Sequence, residues 1–287
     1  MEPAALHRSI VTVGAALRKS SQELELASPT PRLDAEVLLM HVCGIDRSSL
    51  ITRHEMALTG VQQNRLADLV ARRRRGEPVA YITGTREFWS MELSVSPATL
   101  IPRPETELLV EKALEHIPLD AACCIADLGT GSGAIALAIA GERPRCRVIA
   151  TDHSPAALEV ARSNAEKFNL TNIEFREGDW FAPLAGETCD MILSNPPYIP
   201  AGDPHLTQGD VRHEPVTALV SGNDGLDAIR HIARLAREFL RPDGWLLFEH
   251  GWDQGESVAA LLRQQAYRDI VSHTDLAGHA RVAVCRC

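Results

Sequence analysis

The tetrapeptide Asn195-Pro196-Pro197-Tyr198 combines an amide side chain, two prolines and a phenol. The prolines fix the chain and remove two amide donors, leaving a rigid, acceptor-rich platform. The Asn195 side-chain oxygen and the Pro196 carbonyl can each accept one hydrogen of a planar NH₂ group, while Tyr198 covers its face. Such a site holds an amide or an aromatic amine and aims its nitrogen. In isolation the same residues would be a plain loop stop; the segments that precede them favour a ligand site.

The first of these segments is Asp127-Leu128-Gly129-Thr130-Gly131-Ser132-Gly133, which follows an apolar run and opens the helical pattern Ala134 to Ala140. Without side chains, its glycines let a turn tighten and a ligand approach the backbone. Asp152 ends the next apolar run, where a carboxylate can accept both ribose hydroxyls, cap the following helix, or do both. Gly178-Asp179-Trp180 closes a third run: a carboxylate to accept from an adenine amino group and a ring to pack on its face. Together these predict a nucleotide-like ligand, without separating a nicotinamide dinucleotide from S-adenosylmethionine.

The elements that must position these residues follow from periodicity. Apolar runs at 125–128, 148–151, 173–176, 191–194 and 245–249 alternate with helical patterns, which predicts a parallel sheet covered on both faces. The candidate residues all fall at the ends of these runs, where ligands bind in such sheets. Two more short strands, 270–274 and 281–285, joined by Ala277-Gly278, predict an antiparallel edge. Upstream, Leu6, Ile10, Val13 and Leu17 recur at helical spacing. A second helix is predicted from Thr30-Pro31, with Leu33, Val37, Leu38 and Met40 as its stripe and Gly44 as its stop. A third runs from Thr59, paired with Gln62 in a capping box, to near Gly76. Phe88 to Val95 reads as a strand with Gly84 as the turn before it, in a β-hairpin linker. The resulting organisation is a helical domain over 1–77, a linker over 78–103 and a sheet domain over 104–287.

Composition bounds the function. The chain has 287 residues, 45% of them hydrophobic and 23% charged, which excludes disorder, collagen and coiled coil. Net charge is −9, and its distribution is uneven: residues 1–104 carry about +2 and the remainder about −11. A strongly acidic catalytic part opposes charge-driven binding to nucleic acid. Seven cysteines without a CxxC pair read as free thiols in a reducing compartment. Glu2, His7, Arg8, Arg18 and Lys19 break any apolar leader, and no stretch reaches membrane-spanning length, so a cytoplasmic protein is expected.

With these motifs in their order, the sequence resembles the class I S-adenosylmethionine-dependent methyltransferases whose NPPY-type members methylate exocyclic or amide nitrogens. Within them it resembles the HemK/PrmC protein-glutamine N5-methyltransferases. Three further segments carry the narrower likeness: Ile101-Pro102-Arg103-Pro104-Glu105-Thr106-Glu107, Asp179-Trp180-Phe181, and Glu214-Pro215 through Ala218-Leu219 to Gly222-Asn223-Asp224-Gly225-Leu226. The resemblance implies an α/β fold, a Rossmann-like class I methyltransferase sheet with an N-terminal helical bundle and a β-hairpin linker. It implies S-adenosylmethionine as methyl donor, S-adenosylhomocysteine as product, and the Gly-Gly-Gln glutamine of class I peptide chain release factors as acceptor. Gly129, Thr130, Gly131, Ser132, Gly133, Asp152, Asp179, Trp180 and Asn195 would hold the donor. Asn195, Pro196, Pro197 and Tyr198 would present the amide, and the helical domain would recognise the protein substrate. The long segment Ile199 to Gly222, with Arg103 and Glu105, is expected to shape the substrate groove; Pro104-Glu105 also reads as a helix start.

Other readings are weaker. Arg72 to Arg75 ends a predicted helix, where cations favour the dipole, and reads as a solvated terminus. His273, His279, Cys285 and Cys287 lack a zinc spacing, so no metal is expected. A nucleic-acid amino-methyltransferase, acting on N6 of adenine or N2 of guanine, is the rival for an NPPY site. An NAD-dependent oxidoreductase would need a hydride-site acid or base that the sequence does not display.

Overall fold

The computed structural model describes residues 11–287. Leu6 and Ile10, expected on the first helix, and Glu2, His7 and Arg8 lie outside the described residues. The chain divides into two compact units between Gly84 and Thr85, so the hairpin groups with the sheet.

The first unit is helical: α1 (Val13–Leu24), α2 (Pro31–Cys43), α3 (Arg47–Thr52), α4 (Gly60–Arg74) and α5 (Val79–Thr83). Thr12 caps α1 by accepting the Ala15 amide, and the capping box at Thr59 and Gln62 opens α4 as its residue types dictate. Gly44 stops α2 in a left-handed conformation. The buried stripe of α2 is Ala35, Leu38, Leu39 and Val42, whereas Leu33, expected on it, is exposed. The observed set keeps the i, i+3, i+4, i+7 spacing that the expected set lacked. Arg72 to Arg75 does end a helix, but it is not uniformly solvated. Arg73 is 4% exposed and donates to Asp34 Oδ2 at 2.6 Å, with Ser28 and Thr30 hydroxyls on the same carboxylate. The short helices α3 and α5 were not foreseen; each is too brief for periodicity to register.

The second unit opens with a hairpin, β1 (Thr85–Phe88) and β2 (Met91–Ser94). Its turn, Trp89-Ser90, falls inside what the sequence read as one strand. Both residues adopt positive φ, 51° and 57°, the twist a two-residue hairpin favours. The Trp89 amide donates to Glu107 and its indole to Glu142, which holds non-glycine residues in that conformation.

Then follow α6 (Glu107–Glu115), β3 (Cys124–Leu128), α7 (Ala134–Glu142), β4 (Arg147–Asp152), α8 (Pro155–Lys167), β5 (Ile173–Glu177), β6 (Cys189–Ser194), α9 (Asp227–Phe239), β7 (Leu240–Glu249), α10 (Gly255–Gln264), β8 (Arg268–Thr274) and β9 (Ala280–Arg286). They form a seven-stranded sheet in the order β5-β4-β3-β6-β7-β9-β8. All pairings are parallel except those of β9, the expected antiparallel edge.

The central strands β3, β4 and β6 are buried on both faces, as continuous apolar strands require, whereas the edge strands β5 and β8 hold no buried residue. Ile125, Val148, Met191 and Leu247 pack with Leu109 and Val110 of α6 and the all-buried Ala134–Ala140 run of α7. Ala126, Ile149, Ile192 and Leu246 pack with Ile229, Ile232 and Ala236 of α9 and Val258 and Leu262 of α10. Strand order reverses between β3 and β6, which opens a crevice at their carboxyl ends. No helix among the described residues is long and apolar enough to cross a membrane.

Candidate active site

A cavity of about 750 Å³ lies at that crevice. The glycine loop forms its floor. The Thr130 amide donates to the Thr151 carbonyl at 2.9 Å and the Thr130 hydroxyl to Asp127 Oδ2 at 2.6 Å, tying the loop to the ends of β3 and β4. A Cβ built on Gly129 or Gly131 would meet nothing within 4 Å, so the backbone lies bare to the cavity. Gly133 serves differently. At φ +86° it begins α7, and a Cβ there would stand 3.0 Å from Leu137 and 3.2 Å from Ala161, so its bareness lets α7 and α8 approach. Asp127 is fully buried, and burial lifts its carboxyl to about 7 against the opposing hydrogen bond from Thr130.

Asp152, at the end of β4, accepts the Gly131 amide on Oδ2 and the Ser154 amide on Oδ1, each at 2.9 Å. It therefore braces the loop and the start of α8 while lining the cavity. Asp179 and Trp180 line the same cavity, with His231 of α9 tilted against the Trp180 ring at 6.1 Å.

Asn195, Pro196 and Pro197, at the end of the neighbouring β6, line it as well. The Asn195 amide nitrogen donates to Thr106 Oγ1 at 3.1 Å, and that hydroxyl donates to Glu249 Oε2 at 2.6 Å. Glu249 ends β7 beside β6, and its other oxygen accepts the Tyr198 hydroxyl at 3.0 Å. The carboxylate is 1% exposed. Burial raises its pKa, with the two hydroxyl donors pulling the other way. Burial and the neighbouring Glu249 likewise push the Tyr198 phenol up. The Asn195 oxygen and the Pro196 carbonyl accept no protein hydrogen bond among the described residues.

Of the residues singled out by sequence, Gly129, Thr130, Gly131, Ser132, Asp152, Asp179, Trp180, Asn195, Pro196 and Pro197 converge on the cavity, whereas Gly133, Tyr198, Arg103 and Glu105 do not line it. Tyr198 packs against the core, where its hydroxyl finds Glu249. One guanidinium nitrogen of Arg103 reaches both oxygens of Glu214, at 2.7 and 2.8 Å. Glu105 is exposed in the turn Pro104–Thr106 that precedes α6. Residues 199–222 contain three short turns of 3-10 helix. Their ends are zipped by bonds from Ile199 to Leu219 and from Ser221 to Ile199, and their second half walls the cavity through Pro215, Thr217, Ala218 and Val220.

Sequence reasoning missed Thr106 and Glu249. Glu249 had a signal, an acid ending an apolar strand as Asp152 does; Thr106 had none beyond its segment. No group of three or more His, Cys, Asp or Glu that could hold a metal occurs among the described residues.

A family model of the PrmC N-terminal domain matches residues 15–84, and one of a methyltransferase domain matches residues 119–280. A protein-L-isoaspartate(D-aspartate) O-methyltransferase model matches residues 52–185. The chain is 52% identical over 259 residues to the release factor glutamine methyltransferase of Salmonella typhimurium, covering 90% of this chain and 93% of that protein. It is 50% identical over 270 residues to the protein of that name from Escherichia coli K12, covering 94% and 97%. A methyltransferase structure from Pyrococcus furiosus superposes with a TM-score of 0.53 at 17% identity over 77% of this chain and 98% of that one, a likeness of fold alone.

Proposed function

This chain belongs to the release factor glutamine methyltransferase family, and from that membership we propose the division of labour in its cavity. The enzyme moves a methyl group from S-adenosylmethionine to the side-chain amide nitrogen of a glutamine, that of the Gly-Gly-Gln motif in class I peptide chain release factors. The observation that carries the assignment is the pair of unengaged acceptors, Asn195 Oδ1 and the Pro196 carbonyl, on residues that line the same cavity as the glycine loop.

The lining fits the methyl donor. Bare backbone at Gly129 and Gly131 gives room for close approach, Asp152 retains lone pairs for ribose hydroxyls beyond the two amides it accepts, and Asp179 and Trp180 suit an adenine. When bound, S-adenosylmethionine supplies an electrophilic methyl on a sulfonium. The residues of the chain do the rest. An amide nitrogen is a poor nucleophile because its lone pair is delocalised into the carbonyl. Asn195 and Pro196, by accepting both of its hydrogens, favour a pyramidal nitrogen with the lone pair localised. Holding it in place supplies proximity. No general base is required, because the proton can leave once the nitrogen carries the methyl and has become acidic. Tyr198 supports this platform from behind through Glu249 rather than covering the amide face.

The helical unit is proposed to recognise the protein substrate, and residues 199–222 to shape the groove, with Arg103 holding them through Glu214. Translation places the reaction in the cytoplasm. A nucleic-acid amino group would satisfy the same two acceptors, but an excess of about 11 negative charges beyond Pro104 opposes a polyanion. Incubation with labelled S-adenosylmethionine and either release factor or total RNA discriminates. Label in release factor, located by mass spectrometry on the Gly-Gly-Gln amide, is the expected result; label confined to RNA would overturn the assignment.

A further inference from the structure

Thr106 lines the cavity and bonds to its central amide, and Glu249 in turn bonds to Thr106. We infer that both are positioning residues for methyl transfer: they fix which way round the Asn195 amide sits. The inference rests on the reading of Asn195 as an acceptor for the substrate NH₂.

The two ends of an asparagine amide are nearly the same shape, so packing alone does not choose between them; the inventory of protons does. An ionised carboxylate is acceptor-only. Both neighbours, Tyr198 and Thr106, donate to Glu249, and as a carboxylate it returns no hydrogen to either. Thr106 has one hydroxyl hydrogen. With that hydrogen on Glu249 at 2.6 Å, the Thr106 oxygen can only accept on its other side, so the group of Asn195 that faces it at 3.1 Å must be the NH₂. The Asn195 oxygen is then turned to the remaining direction. Charge at Glu249 thus sets the polarity of the whole chain of hydrogen bonds. A flipped Asn195 would present hydrogens to a substrate NH₂ and repel it.

A purely structural role accounts poorly for the same residues. Burying a carboxylate with no cation in contact is costly, and a neutral residue of similar size would pack at lower cost. Arg281, the basic group that acts on Glu249, is itself bonded to Asp275 at 3.0 Å. Only an obligate acceptor gives the chain a single direction.

The test compares Thr106→Val, which keeps the shape and loses the hydroxyl, with Thr106→Ser, which restores it. Steady-state kcat is measured on whichever acceptor the wild type labels, so that a wrong substrate assignment shows separately as label in RNA. For Thr106→Val, kcat is expected to fall at least tenfold while S-adenosylmethionine affinity by calorimetry stays within twofold; Thr106→Ser is expected to recover at least a third of the wild-type rate. Should the valine variant not fold, Glu249→Gln, which can donate as well as accept, is expected to lower kcat at least threefold at unchanged donor affinity. A folded Thr106→Val or Glu249→Gln with wild-type kcat, or a serine variant as slow as the valine, overturns the inference.

Discussion

Asp152 Oδ2 accepts the Gly131 amide at 2.9 Å, so the end of β4 holds the glycine loop that leaves β3. The acid is thus bound to the loop before any ligand arrives. Replacing it by alanine removes both the proposed ribose acceptor and the brace of the loop. Asp152→Ala is expected to weaken S-adenosylmethionine binding at least tenfold, about 1.4 kcal/mol, by isothermal titration calorimetry. Unchanged affinity would exclude Asp152 from the donor site.

Asn195→Ala deletes one of the two acceptors while leaving the glycine loop and Asp152 untouched. Its rate of methyl transfer is expected to fall on the order of a hundredfold or more, the usual scale for losing a preorganised polar contact at a reacting centre. Donor affinity should stay within about threefold. Equal rates in single-turnover assays would refute the assigned role.

Gly225 lies under the end of the NPPY platform at φ +77°, and a Cβ there would stand 2.2 Å from the Tyr198 carbonyl and 2.7 Å from Gln254 Nε2. Gln254 itself donates to that carbonyl at 3.1 Å. Gly225→Ala must displace the main chain at Tyr198, at a cost of about 2 kcal/mol or more. Thermal denaturation should show a clear loss, and turnover should drop more than donor affinity does. A variant as stable and as fast as wild type would show that the platform tolerates movement.

Asp127 gives a pH signature. Its carboxyl, raised by burial to about 7, contributes stability that is whole below the ordinary aspartate value of about 3.9 and is lost as pH rises through about 7. Asp127→Asn removes that slope while keeping an acceptor for Thr130. The Tm of the variant relative to wild type should therefore rise between about pH 4 and about pH 7 and then level off. A flat or falling difference would contradict the raised value.

Arg103 and Glu214 form the ion pair that ties the post-hairpin segment to the 199–222 loop; the carboxylate side chain is 0% exposed and the arginine 30%. Arg103→Ala leaves a buried charge unpaired, a loss of about 3–5 kcal/mol when fully expressed. We expect faster limited proteolysis within 199–222 and a raised KM for the protein substrate, both largely reversed by adding Glu214→Gln. Proteolysis at the wild-type rate would mean the pair does not hold the loop.

What the sequence made legible was local. The glycine loop, Asp152 and Asn195 each sit at the end of an apolar run, so a strand pattern alone carried them to the same edge of the sheet. Interactions between distant segments were not legible. Arg103 meets Glu214 across 111 positions and Thr106 meets Glu249 across 143, and nothing in either segment names the other. The partner of Tyr198 was not legible for the same reason: its hydroxyl meets Glu249, which ends another strand. The Trp89-Ser90 turn was hidden because neither residue usually takes the positive φ that a two-residue hairpin needs, and Trp89 is held there by Glu107 and Glu142 from later helices.

The zipped ends of residues 199–222 separate two design problems. Because Ile199 is bonded to both Leu219 and Ser221, the stem is anchored independently of what it carries, and lengthening a tethered loop is inexpensive, about 0.6 kcal/mol per doubling. Of the intervening residues, 202–213 neither line the cavity nor pair with Arg103, and their content is expected to be rewritable for a different macromolecular acceptor while Glu214, Pro215, Thr217 and Ala218 keep the cavity wall.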